Sequence, residues 1–229
     1  MNYKAIIFDL DDTLINFQAA QAKGLRFIYH HFFASCQLSD FMQAYETINR
    51  RLWDAVGAGQ MLPREVGLER FRALSSHFGV NVDFEHVAAT YELKISETVE
   101  WMPGAKACIK QLSQYYRLGI VTNGLQAAQR RKLAHMDVSD DFHSVVISEE
   151  LGVAKPDPHV FKHILGKMDC LPEACLMVGD SLSSDYQGAM NVGMDFCWFN
   201  PHHQALPSMY ARPRMEVAHL SDLMILEEA

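Results

Sequence analysis

The apolar run Ala5-Ile6-Ile7-Phe8 leads directly into Asp9-Leu10-Asp11-Asp12-Thr13, and this junction constrains the fold more than any other stretch. So short and apolar a run reads as a strand buried on both faces, the habit of parallel sheets. In open α/β sheets ligands gather beyond the carboxyl ends of strands, so three carboxylates stand where a site is expected. Close carboxylates repel unless a cation or a proton offsets their charge, which makes a divalent metal the expected companion. The competing reading is a solvated turn capping a helix, because Asp and Thr are also favoured there.

From Asn16 to Glu100 strands give way to helical spacing, as in Phe17, Ala20, Leu25, Ile28 and Phe32, and again in Phe41, Tyr45, Ile48 and Leu52. Breaks at Gly57 to Gly59, at Pro63 and at Gly79 to Asp83 divide this block into about four helices. Phe27, Tyr29, Phe32, Phe33, Trp53 and Phe71 are expected to form its core. After Pro103-Gly104 helices alternate with short apolar strands. Strands are expected at Leu118 to Thr122, Ser144 to Ile147, Cys175 to Val178 and Asp195 to Phe199. Helices are expected at Ala105 to Tyr115, Gln126 to His135, His159 to Lys167 and Ser184 to Asn191. The economical topology is α/β, a doubly wound parallel sheet (residues 1–15 and 100–229) whose first strand is followed by an inserted all-helical cap (residues 16–99).

The 229 residues are 49% hydrophobic and 21% charged, enough for a full core. Twenty basic against 28 acidic residues give a net charge of -8, which argues against nucleic acid or an anionic membrane as partner. The five cysteines, Cys36, Cys108, Cys170, Cys175 and Cys197, contain no C-x-x-C pair and are read as reduced thiols. With no leader-like or membrane-length apolar run, the expected address is cytoplasmic.

Three further polar clusters follow expected strand ends. Thr122-Asn123-Gly124 brings a hydroxyl, an amide and a glycine to a helix start, where they suit a phosphate, although Asn-Gly is also a common turn and Thr or Asn a routine cap. Lys155, stiffened by Pro156 and Pro158, is the only cation expected near the site, and its ammonium suits a phosphoryl oxygen. Gly179-Asp180-Ser181-Leu182-Ser183-Ser184-Asp185 returns the carboxylates. Asp180 can meet Asp9 to complete a magnesium site, and Asp185 can orient a metal-bound water; either can instead cap the following helix.

These four segments, in this order, resemble the signature of the haloacid dehalogenase superfamily: D-x-D-x-T, a Thr or Ser, a Lys, and G-D-x-x-x-x-D. The helical block resembles that superfamily's C1 cap. A closer likeness is to 5'-nucleotidases acting on pyrimidine and non-canonical nucleotides, carried by Asn49-Arg50-Arg51-Leu52-Trp53, by the stretch from Val146 to Asp157, and by Trp198-Phe199-Asn200-Pro201-His202-His203. The resemblance implies that Asp9 is a nucleophile forming an aspartyl phosphate and Asp11 the general acid and base. It implies that Thr122, Asn123, Gly124 and Lys155 bind the phosphoryl group. Magnesium would be held by Asp9, Asp180 and the Asp11 backbone carbonyl, with Thr13 fixing the loop and Asp185 in support. Asp12 is expected to be exposed. Dehalogenases of the superfamily lack an acid at the position of Asp11, so dehalogenation is disfavoured.

The implied substrate is a small phosphorylated metabolite, a nucleoside monophosphate first, for a monomer or homodimer. Another phosphate ester such as a sugar phosphate or phosphoglycolate, a β-phosphoglucomutase-like phosphomutase, and a non-catalytic ligand-binding relative are the alternatives. His30, His31, His77 and Arg51 can touch a base or ribose, or else are surface and packing residues.

Overall fold

The computed structural model describes residues 3–136 and 139–228. Six strands form one parallel sheet: β1 (Ala5–Phe8), β2 (Arg117–Thr122), β3 (Phe142–Ile147), β4 (Cys175–Gly179), β5 (Asp195–Phe199) and β6 (Met215–Val217), in the order β3-β2-β1-β4-β5-β6. Strand β1 lies inside the sheet and is buried along its length. Its side chains alternate between faces as a strand requires. Ile6 and Phe8 pack with Ala105, Ile109, Leu112 and Leu223, whereas Ala5 and Ile7 pack with Val160, Phe161 and Ile164. Two buried faces explain why β1 reads as continuous apolar sequence rather than as an alternation. The chain order reverses between β1 and β4, which makes the space beyond their carboxyl ends the switch-point crevice of a doubly wound sheet.

Four helices follow β1: α1 (Phe17–Phe32), α2 (Leu38–Gly57), α3 (Pro63–Phe78) and α4 (Phe84–Lys94). Asn16 caps α1 through its side-chain oxygen, Pro63 opens α3, and Gly79 closes α3 in the left-handed conformation at φ 63°. The break at Phe33 to Gln37 carries neither Gly nor Pro and left no mark in the sequence. The helices enclose their own cluster of Leu25, Ile28, Phe33, Phe41, Tyr45, Phe71, Leu74, Val87 and Tyr91, with Phe27, Tyr29 and Phe32 at its margin. Trp53 departs from expectation: it packs instead with Leu52, Val56, Val66 and Ala154, at the junction with the sheet half. The chain leaves and rejoins the sheet half through adjacent segments, tied by a bridge between Ile15 and Trp101.

The sheet is completed by α5 (Ala105–Leu112), α6 (Gln126–Ala134), α7 (Ser148–Leu151), α8 (Pro158–Met168) and α9 (Gln187–Val192). The helix expected from Ser184 begins instead as a π-helical turn, Leu182–Tyr186, before α9. Strand β6, α7 and the 3-10 run Leu220–Glu228 went unmarked in the sequence. None of the five cysteines is in a disulfide; Cys108, Cys175 and Cys197 are buried and Cys36 and Cys170 partly so. Among the described residues no helix is long and apolar enough to cross a membrane.

Candidate active site

Asp9 follows β1 and Asp180 follows β4, so the switch point brings both carboxylates to one crevice. Asp185, on the π-helical turn, joins them: one oxygen from each of the three lies within 4.8 Å of the others. Gly179 permits this approach, because a Cβ there would collide with the Asp185 carboxylate. Asp185 is wholly buried and accepts from the Ser181 backbone N–H at 3.1 Å. Thr13, also wholly buried, donates its hydroxyl to Asp180 at 3.3 Å and so ties the β1 loop to the β4 loop.

Lys155 lies beneath this cluster, 3% exposed. Its ammonium donates to Asp9, to Asp185 at 2.7 Å and to the Val121 carbonyl at 3.0 Å. Burial pulls the ammonium down, but Asp185 and Asp9 more than offset it and hold Lys155 above the ordinary lysine range. Burial raises Asp9 well above the usual carboxylate range, with the Asp185 and Asp180 charges adding to it and Lys155 opposing. Asp180 is pushed up to about 7 by burial and by the Asp185 and Asp12 charges. Three carboxylates and one ammonium thus leave an excess of negative charge that a cation would relieve.

Asp11 faces a different environment. Lys132, on α6, donates to its Oδ1 at 2.7 Å, and Gln129 donates to its Oδ2 at 2.9 Å. The Lys132 ammonium also lies 4.2 Å from the centre of the Phe17 ring. Lys155 is therefore not the only cation at the site, contrary to expectation. Helical spacing three residues apart, which puts Gln129 and Lys132 on one face of α6, was the signal available for it. Gln129 also donates to the Thr122 hydroxyl at 2.7 Å, and Gly124 is required beside it because a Cβ there would fall 2.7 Å from the Gln129 side chain.

The Asn123 amide is committed to holding loops together. It donates to the Lys155 carbonyl at 2.9 Å, accepts from the Lys155 backbone N–H at 2.8 Å, and also accepts from the Ser148 hydroxyl. Asn123 thereby fixes the segment that presents Lys155, which contains a cis Lys155-Pro156 bond. Asp12 is half-buried rather than exposed; at φ 60° it turns back to accept the Gln18 backbone N–H at 2.9 Å, serving the start of α1. His30, His31, His77 and Arg51 are exposed, and none lines the two cavities that share Asp11.

Those cavities adjoin. One, of about 520 Å³, contains Asp9, Asp11, Lys155 and Asp180. The other, of about 480 Å³, runs beneath the four inserted helices and shares Asp11, Trp53 and Asn123 with the first.

A crevice of carboxylates and lysine at the switch point, beside a cavity under an inserted helical block, is the arrangement that the likeness to the haloacid dehalogenase superfamily implied. Residues 3–193 match the haloacid dehalogenase-like hydrolases, and the chain belongs to that family. The HAD-hydrolase YfnB of Bacillus subtilis is 32% identical over 96% of each chain; its magnesium-bound crystal structure superposes with a TM-score of 0.89, covers both chains fully and reveals interdomain movement in that protein. The pyrimidine 5'-nucleotidase PynA of Streptococcus pneumoniae is 34% identical over 98% of this chain and 94% of its own. The glyceraldehyde 3-phosphate phosphatase of Pyrococcus abyssi is 32% identical over 86% of this chain and 81% of its own.

Proposed function

We propose that the protein is a cytoplasmic, magnesium-dependent phosphomonoesterase that works through an aspartyl phosphate on Asp9 and acts on nucleoside 5'-monophosphates. The observation that carries this reading is the convergence of Asp9, Asp180 and Lys155 at the switch point, with Asp11 standing between that cluster and a second cavity. The all-oxygen donor set and the raised carboxylates suit a hard divalent cation. Asp9, Asp180 and the Asp11 backbone carbonyl would hold magnesium, which when bound supplies neutralising charge for the phosphoryl oxygens.

The rest is the work of the chain. A carboxylate oxygen of Asp9 attacks phosphorus, and the bond to the leaving oxygen breaks as Asp11 gives that oxygen its proton. Lys132 then stabilises the carboxylate that Asp11 has become. In the second half Asp11 takes a proton from water, the water oxygen attacks phosphorus, and the bond to Asp9 breaks to release phosphate. Lys155 neutralises Asp9 and the transferring group, and Thr122 with the Asn123–Gly124 backbone provides donors to the phosphoryl oxygens. Asp185 positions Lys155, and Thr13 keeps the two aspartate loops together. Residues 16–99 act as a cap over a core of residues 1–15 and 100–229, and choose the leaving group.

The relatives named above include a nucleotidase and a triose-phosphate phosphatase, so the deciding experiment is a panel of phosphate esters assayed for free phosphate and for isomerised sugar phosphate. Release of phosphate from nucleoside monophosphates that stops with EDTA is the expected result. Preference for a triose or glycolate ester would overturn the nucleotide assignment. Isomerised product would make the protein a mutase, and turnover without metal would overturn the mechanism.

A further inference from the structure

Three residues lining the cavity beneath the helices carry a buried polar atom without a hydrogen-bond partner: Gln129 at Oε1, whose amide N–H already serves Asp11 and Thr122, and, on the inserted helices, Arg70 at Nε and Asn49 at Oδ1. Arg70, on α3, is 7% exposed. Its guanidinium lies 5.4 Å from the Tyr45 ring centre and 5.3 Å from that of Tyr91, and no carboxylate among the described residues forms an ion pair with it. The two tyrosine hydroxyls are bonded to each other at 2.6 Å. The rings compensate the charge in part, but an unpaired buried N–H keeps its desolvation cost until an acceptor arrives. Glu92 lines the same cavity and is engaged with Arg131 at 3.8 Å.

A ligand that satisfies the two atoms on the inserted helices must carry an acceptor for Arg70 and a donor for Asn49. A carboxylate or second phosphate has only acceptors and would set an anion against the Asn49 oxygen, and an aliphatic polyol does not match walls built from Phe17, Trp53, Tyr91 and Leu125. A flat heterocycle with both functions on one edge does. Arginine is a permanent donor with no acceptor capacity, and a ring carbonyl beside a ring N–H offers Arg70 its acceptor and Asn49 its donor together. Resting on the phosphatase reading above, the geometry points to a subsite for the oxo edge of a nucleobase. Arg70 donates to a ring carbonyl, Asn49 accepts the adjacent ring N–H, and the phosphate end of the same molecule reaches Asp11 and the acid cluster. Uracil, thymine and guanine present that edge; cytosine and adenine present an amino group beside a ring nitrogen.

Steady-state hydrolysis of UMP, dTMP, GMP, CMP, AMP and ribose 5-phosphate by the wild-type chain, Arg70→Met and Asn49→Leu tests the assignment. The wild type is expected to favour UMP and dTMP, or GMP, over the other three esters. In each variant the ratio of kcat/KM for the favoured nucleotide to that for ribose 5-phosphate should fall about 10- to 100-fold, the loss of one charge-assisted or buried hydrogen bond. An unchanged ratio, CMP used as well as UMP, or ribose 5-phosphate used as well as any nucleotide would overturn the subsite. Asn49 is only partly buried on α2, so Asn49→Leu carries the test if Arg70→Met does not fold. Calorimetry with uridine, thymidine and guanosine separates this proposal from the phosphatase reading. Absence of turnover on every ester sinks that reading, whereas binding of a nucleoside that is weakened in both variants still supports the subsite and its absence overturns it.

Discussion

Replacing Lys155 by Met removes the ammonium that Asp9, Asp185 and the Val121 carbonyl share. Methionine fills much of the same space, so the loss is chiefly electrostatic. Asp185 is wholly buried and Asp9 nearly so. Removing one member of a buried ion pair costs about 3–5 kcal/mol, and at about 2 °C or more per kcal/mol in a chain of this size the variant should melt at least about 6 °C lower. Since burial and mutual repulsion hold Asp9 and Asp180 well above the usual carboxylate range, protonation is the variant's route to relief. The gap between the two proteins should therefore narrow on acidification, as the variant's raised carboxylates take up protons. Differential scanning fluorimetry in EDTA across pH reads both effects. A variant that melts within about 2 °C of the wild type at neutral pH, or a gap that widens on acidification, would refute the reasoning.

Gly179→Ala places a methyl group against the Asp185 carboxylate and should cost about 1–3 kcal/mol of stability, seen as a lower urea midpoint; an unchanged midpoint would mean that the turn yields freely. Lys132→Met should slow hydrolysis roughly tenfold for alkyl phosphates and less for an aryl phosphate, whose phenolate leaves without help from the acid; equal losses on both would remove Lys132 from the proton step. Burial and the Asp195 carboxylate bonded at 2.6 Å push the Tyr3 hydroxyl up to about 12. The stability it contributes is complete below the unfolded value near about 10 and is lost as pH rises through about 12. Tyr3→Phe should flatten that alkaline limb of a denaturation series, and identical limbs would contradict the assignment.

The sheet was legible because its strands are doubly buried, and continuous apolar runs such as Ile6 to Phe8 and Leu176 to Val178 leave few other readings. The short edge strand Met215–Val217 offers three residues and one buried side chain, too little for a pattern. Asp9, Asp180 and Lys155 could be placed because each follows a strand end and the topology brings those ends together. Lys132 could not, since its contact with Asp11 spans 121 positions and depends on how α6 is set against the β1 loop. Trp53 was misread for a related reason: helical spacing identifies an apolar face but not which of two neighbouring apolar surfaces it meets. Arg70 was invisible as well, because a lone arginine in a helix gives no sign that two tyrosine rings will cover it.

The central claim is that phosphorus is transferred to Asp9, and rapid acid quenching with a phosphate-labelled ester tests it most directly. In the presence of magnesium, the Asp11→Asn variant given a phosphate-labelled aryl phosphate, whose phenolate leaves without help from the acid, should retain label on the peptide containing Asp9, because the second proton step is removed. Asp9→Asn should retain none and release no phosphate. Label on any other residue, or phosphate release by Asp9→Asn at the wild-type rate, would contradict the account.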